Sequence, residues 1–327
     1  MDFRVDADQQ ALKEGVRSFC EGCFSLDTLR ELEGRGGFDA SLWRDLAELG
    51  AFALRLPEEE GGAGLGLAEA VLVFEELGRS LVPGPLVWSQ LAANLVAGAA
   101  TGEVVVGGLD LTSAACEPHL VEHWEALDVL LVLRRDGVER LDARSLPAEP
   151  LATPLDPLTP LHHVAELPAG EEIGGVDRAR ELRLAGSALV SGQLLGIARA
   201  TLDLALDYAK EREQFGRIIG SFQALKHMLA DMFARQELAR AGVYAAGATL
   251  DQPELGNVER AVSTGKLMAG EAAMKNARAC IQIHGGMGYT WEVPAHYHYK
   301  RTWVLQSLFG SPEEEALQIG ESLGAAL

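Results

Sequence analysis

Long apolar runs, positive charge and cysteine are what this 327-residue chain has least of. No run of about eighteen apolar residues passes without a charge, so the sequence gives no expectation of a membrane span. Met1 to Asp8 is acidic and polar. It has no basic stretch followed by an apolar one, so no secretory signal is expected and a cytoplasmic location is. Lys and Arg number 28 against 48 Asp and Glu, a formal charge of −20. Such a surface repels phosphate backbones and anionic bilayers, which argues against nucleic acid and membranes as partners. It does not exclude a phosphate-bearing cofactor, because local Arg and Lys decide that. The four cysteines are Cys20, Cys23, Cys116 and Cys280. Cys20 and Cys23 form a C-x-x-C, a spacing open to redox or metal use. The helix-like run from Val16 to Phe24, with no second pair nearby in sequence, favours packing instead, and no metal is expected. Internal repeats and low-complexity tracts are also missing.

What is present suits an ordinary globular chain: 48% apolar and 23% charged residues. The pattern divides it in three. Residues 1–102 read as helical, with Leu42, Leu46 and Leu49 on one stripe and a loop at Glu58-Glu59-Glu60-Gly61-Gly62-Ala63-Gly64. Residues 103–176 change character. Val104-Val105-Val106 and Val129-Leu130-Leu131-Val132-Leu133 are strand-like, and Pro147, Pro150, Pro154, Pro157, Pro160 and Pro168 crowd the stretch after them. Residues 177–327 return to helix. Leu194, Ala198, Leu202, Ala205 and Ala209 form one stripe, Phe222, Leu225, Leu229, Met232 and Phe233 a second, and Val258, Val262, Met268 and Ala272 a third. Long amphipathic helices with short turns predict an antiparallel bundle. The expected fold is α+β, mainly α.

Two segments carry donors suited to a nucleotide. In Glu211-Arg212-Glu213-Gln214-Phe215-Gly216-Arg217, the Arg212 guanidinium is a fixed fork for a pyrophosphate. In Gln282-Ile283-His284-Gly285-Gly286-Met287-Gly288-Tyr289, Gln282 both donates and accepts, and Gly285 and Gly286 let a backbone approach a ligand. Read singly, Arg212 serves equally as an ion-pair partner of Glu211 or Glu213, and the glycines as a tight turn.

Together the two segments resemble the acyl-CoA dehydrogenase family, which writes them as R-x-x-F-G-x-x-I-x-x-F-Q and Q-x-x-G-G-x-G-[YF]. The resemblance extends to Glu59-Glu60-Gly61-Gly62-Ala63-Gly64-Leu65 and is weakest between 110 and 150. It implies a helical–β–helical-bundle fold, α,β-desaturation of an acyl-CoA thioester, and FAD spanning a subunit interface. It also implies that Arg212, Gln214, Phe215, Gln223, Gln282, Gly285 and Gly286 hold the adenine and pyrophosphate half of a flavin whose ring sits in another subunit. An electron-transferring flavoprotein is the implied acceptor.

The same resemblance exposes what is missing. The family removes the α-proton with a Glu, because a weak carbon acid needs a positioned base. Phe309, in Leu308-Phe309-Gly310-Ser311, stands at the usual base position. Gly186, ahead of Leu194-Leu195-Gly196, stands at the alternative one. Neither takes a proton. In the middle segment Glu117-Pro118 matches part of the family's T-E-P loop with Cys116 in place of Thr, and the family's Lys–Trp strand is absent. The pattern implies a base-less subunit completing the flavin site of a base-carrying partner in an α2β2 assembly, similar to short subunits of steroid-degrading dehydrogenases. Two alternatives stand: a self-sufficient enzyme using Glu313, Glu314 or Glu315, and a non-enzymatic scaffold or acyl-CoA-binding subunit. Glu313–Glu315 also read as a helix first turn. His284 reads as a packing residue beside the cofactor, His296 and His298 lack a third metal ligand, and Lys300-Arg301 is expected to meet a partner's acids.

Overall fold

The computed structural model describes residues 5–113 and 118–324; Cys116 and Glu117 therefore lie outside the described residues. Five helices open the chain: α1 (Ala7–Cys23), α2 (Leu26–Glu33), α3 (Ala40–Glu48), α4 (Leu67–Arg79) and α5 (Leu86–Ala92). Their starts obey local chemistry. Asp6 caps α1 with a capping box, and Asp39 accepts from Ser41 and Leu42 to start α3.

Strands β1 (Val106–Asp110), β2 (His119–Glu122), β3 (Val129–Arg134), β4 (Gly137–Asp142), β5 (Glu149–Pro150), β6 (Leu161–Val164) and β7 (Glu171–Gly175) come next. They form two small sheets, ordered β1-β3-β4-β7 and β2-β6-β5. β1 pairs β3 in parallel, and the other pairs run antiparallel. β3 is the buried centre, which explains its unbroken Val/Leu run.

The third part is built on α6 (Val176–Glu211). A hairpin of β8 (Glu213–Gln214) and β9 (Arg217–Ile218) leads to α7 (Gln223–Asp251), α8 (Val258–His284), α9 (Ala295–Ser307) and α10 (Pro312–Gly324). α6 is long and apolar enough to cross a membrane by composition, but 78% of its apolar window is buried in this chain, because it is the central helix. Its small residues set the packing distance. A side chain at Gly196 would collide with the Glu75 carbonyl of α4, and one at Gly78 with the Gln193 carbonyl. One apolar core runs through all three segments, from Val16 to Phe309. The stripe expected on α7 needs one correction: Met232 is fully buried but Phe233 is 53% exposed. Neighbours on a helix point about 100° apart, so both cannot face inward.

Candidate functional site

α6, α7 and α8 alternate in direction, so the end of α6, the start of α7 and the end of α8 meet at one end of the bundle. The two candidate segments are brought together there. Tyr208 on the last turns of α6 stacks on His284 of α8, ring centres 4.3 Å apart. His284 is buried, its Nδ1 2.8 Å from the Cys280 carbonyl, so it packs and orients rather than facing outward. Cys280 is likewise core, and burial pushes its thiol up to about 12, as it does for Cys20 on α1.

Around that stack the site residues stand open. The Arg212 main-chain N–H donates to the Tyr208 carbonyl and its own carbonyl accepts from Ile219, which leaves the side chain exposed at the helix end. Phe215 (φ 54°) and Gly216 (φ 76°) make a two-residue hairpin turn with both residues left-handed. Phe215 is held in a conformation costly for a bulky residue and is 92% exposed. Gln214 donates to the Glu213 carbonyl, while Gln223 and Gln282 are exposed at the start of α7 and in the last turn of α8. Gly285 (φ 59°) closes α8, donating to the Gln282 carbonyl. Nothing lies within 4 Å of a side chain built at Gly285 or Gly286. The cradle is open, rich in donors and free of side chains where a backbone would meet a phosphate. FAD's adenine and pyrophosphate half fits it.

The two positions that the resemblance sets against the base meet elsewhere, and the space between them is filled. A side chain built at Gly186 would lie 2.5 Å from the Phe309 ring. Phe309, 2% exposed, also packs on Trp88 of α5, centroids 4.7 Å apart. It too has a left-handed backbone (φ 56°). Lys266 holds that backbone from below: its buried ammonium donates to the carbonyls of Leu308 and Gly310 and lies 3.7 Å from Glu315. Burial pushes it down to about 8, against the pull of Glu315. Glu314 caps Ser311 at the head of α10, so two of the three acids there are spent on structure.

Sequence reasoning missed one acid. Glu122 ends β2 and lines a cavity of about 20 Å³ with Trp88, His123, Gln193, Arg301 and Leu308. Burial pushes its carboxyl up to about 7, Arg301 working against this. No pattern around Glu122 distinguished it, because the partners come from separate elements. Burial and Arg301 hold the His123 imidazole down to about 3, hence neutral. Arg301 corrects another expectation. Its guanidinium donates to Asp156 and to the Val82 carbonyl of the same chain, and it is 5% exposed, so it is an internal tie rather than a partner contact. A larger cleft of about 550 Å³ opens nearby, walled by Phe38, His162, Pro154 and Pro157.

The chain matches known proteins in sequence and in fold. Residues 6–104 match the description "Acyl-CoA dehydrogenase, N-terminal domain" and residues 174–324 "Acyl-CoA dehydrogenase, C-terminal domain". The chain is 37% identical to acyl-CoA dehydrogenase IpdE2 of Mycobacterium tuberculosis, over 94% of each chain. Among solved structures it is similar to the ChsE4–ChsE5 complex from Mycobacterium tuberculosis, with TM-score 0.84, 24% identity and 99% of each chain covered. It is also similar to the Tcur3481–Tcur3483 steroid ACAD G363A variant, with TM-score 0.83, 22% identity, and 99% and 100% covered. The last two likenesses concern fold.

Proposed function

Because the chain belongs to the acyl-CoA dehydrogenase family, whose cofactor is FAD, we propose that it is the base-less subunit of a heteromeric dehydrogenase. One observation carries this reading: the cradle for the adenine half is open, while the place for the base and acyl thioester is filled by Phe309 and Trp88 against Gly186. A cavity of about 20 Å³ beside them is the size of one water and takes no thioester.

In this reading Arg212 pairs with the pyrophosphate, and Gln282 meets the polar edge of the nucleotide. Gln214 and Gln223 flank it, Phe215 packs on its apolar side, and Gly285 and Gly286 allow the close approach. FAD, when bound, supplies the hydride acceptor for α,β-desaturation. The ring pocket and the carboxylate that takes the α-proton come from a second, base-carrying polypeptide, in an α2β2 assembly whose electron acceptor is an electron-transferring flavoprotein. The likenesses to a two-protein complex and to a steroid ACAD support a heteromer and a bulky, steroid-derived acyl-CoA.

The test is native mass measurement of the complex co-purified with a neighbouring dehydrogenase subunit, with flavin counted per chain. Half as many flavins as chains is expected. One flavin on every copy of this chain purified alone overturns the reading. A second reading, a self-sufficient enzyme, is favoured by Glu122 alone, the acid raised toward neutral pH within reach of Trp88 and Leu308. It predicts that the isolated chain is yellow and active and that Glu122→Gln abolishes turnover.

A further inference from the structure

The glycine turn that closes α8 is tied down by the other end of the chain. Gly285–Tyr289 forms one 3-10 turn, and α9 opens at Ala295 with no side-chain cap. The stretch between is thin, with Tyr289, Trp291 and Glu292 exposed. Its entry is fixed from within the bundle. Gly288 sits on the backbone of α8, where a side chain would lie 2.5 Å from the Ile281 carbonyl. Thr290 donates to the Met287 carbonyl through its N–H (3.0 Å) and its hydroxyl (2.8 Å). Its exit is fixed by α2. Arg30 donates through Nη2 to the Trp291 carbonyl, and the Tyr297 hydroxyl donates to the Glu33 carboxylate at 2.5 Å. Among the described residues, these two are the only hydrogen bonds that join 285–297 to an element outside α8 and α9.

The tie is built with care for direction. Arg30 spends Nη1 on Asp27, one turn earlier at 2.9 Å, which aims Nη2 at the carbonyl. A charged donor to a carbonyl is stronger than a neutral one. Trp291 is held on its other side by α9: the Lys300 ammonium lies 5.4 Å from its ring centre, and the His296 ring meets it edge-on at 4.8 Å. Yet Trp291 is exposed and Arg30 only half-buried, so neither belongs to the apolar core. Cutting the bond frees a carbonyl that water can satisfy, which costs the fold little. What is lost is restraint on the turn. A ligand that meets a loosened turn has to order it again, and that entropy is subtracted from its affinity.

We propose that Arg30 and Glu33 are positioning residues for the nucleotide cradle. They hold the exit of the glycine turn, so that Gln282 and the backbone of Gly285 and Gly286 stand ready before FAD arrives. The proposal rests on the reading that this cradle takes the adenine and pyrophosphate half of FAD. Neither residue touches the cofactor; both act through the segment from Trp291 to Tyr297. The N-terminal helices, which contribute no side chain to the cradle, thereby set how tightly it binds.

The test is titration of FAD into the co-purified complex after its flavin has been stripped. Melting temperature and hydrogen exchange of the 286–293 amides are measured on the same flavin-free samples. Arg30→Ala is expected to weaken FAD binding about tenfold, to speed exchange across 286–293 and to leave the melting temperature unchanged. Arg30→Lys keeps a charged donor and is expected to recover most of the affinity. Glu33→Gln keeps an acceptor for Tyr297 and is expected to cost less, about threefold. Arg35→Ala is the charge control and leaves binding unchanged, since Arg35 pairs only with Glu31 and Asp39 at the surface. Arg212→Ala separates the two ways of failing. Weaker binding in Arg212→Ala but not in Arg30→Ala overturns the positioning role and leaves the cradle standing. No effect of Arg212→Ala removes the cradle reading and this proposal with it. Weaker binding in Arg30→Ala with unaltered exchange across 286–293, or with a lowered melting temperature, marks a structural role alone and overturns the proposal.

Discussion

Two regions of this molecule use glycine in opposite ways. At the bundle end, Gly285 and Gly286 have empty space where a side chain would stand, beside exposed Arg212, Gln282 and Phe215. About a third of the way along α6, Gly186 has an aromatic ring in that space. The first arrangement keeps room for something from outside the chain. The second hands the room to the chain's own Phe309 and Trp88. The same residue type thus leaves space open in one place and has it filled in the other, and only the neighbours tell which.

This contrast is most exposed to challenge at the filled region. Phe309→Ala removes a fully buried ring wedged between Gly186 and Trp88, and a loss of about 3–5 kcal/mol of stability is expected in denaturant unfolding. A loss below about 1 kcal/mol would mean the ring is not what fills the space. Next comes pH. The Glu122 carboxyl is raised from its ordinary 4.5 to about 7, so the folded chain holds a proton that the unfolded chain has released. Stability contributed by the protonated form is therefore lost as pH rises from about 4.5 to about 7 and is flat beyond. The span is at most about 3 kcal/mol, and Glu122→Gln flattens it in melts taken across that range. At the open end, Arg212→Ala is expected to weaken flavin retention in the co-purified complex by about 1.5–3 kcal/mol, with no change in melting temperature, by flavin absorbance per chain. Smallest is Gly285→Ala. There is room for its methyl group, but φ of 59° with ψ of −132° is a conformation close to glycine-only and carries a penalty of about 1–3 kcal/mol, which a melt reads directly.

Most of the fold is legible in the sequence. The stripe Leu194, Ala198, Leu202, Ala205, Ala209 is buried throughout, because helix periodicity is a local property that tertiary packing only has to accept. Phe233 departs from its expected stripe because one residue of slippage moves a side chain more than a quarter turn round its helix. The meeting of Phe309 with Gly186 is reachable from sequence only as two separate positions. Nothing local records that residues so far apart along the chain share one volume. Glu122 is invisible for a related reason: its raised carboxyl reflects burial and Asp156, against the opposing pull of Arg301, all contributed by distant elements. Arg301 behaves the same way, since charge alone suggests a surface and only Asp156 makes it an interior tie.

The turn at Pro253–Leu255 joins α7 to α8 at the far end from Tyr208 and His284, and Asp251 to Gly256 are exposed. With 29 residues in α7, it stands roughly 40 Å from the hairpin. A fluorophore or affinity tag spliced in after Gln252 would report on assembly without crowding the nucleotide cradle. Asp251 has to be left intact, because its carboxylate accepts from the Leu67 and Ala68 amides and anchors the start of α4.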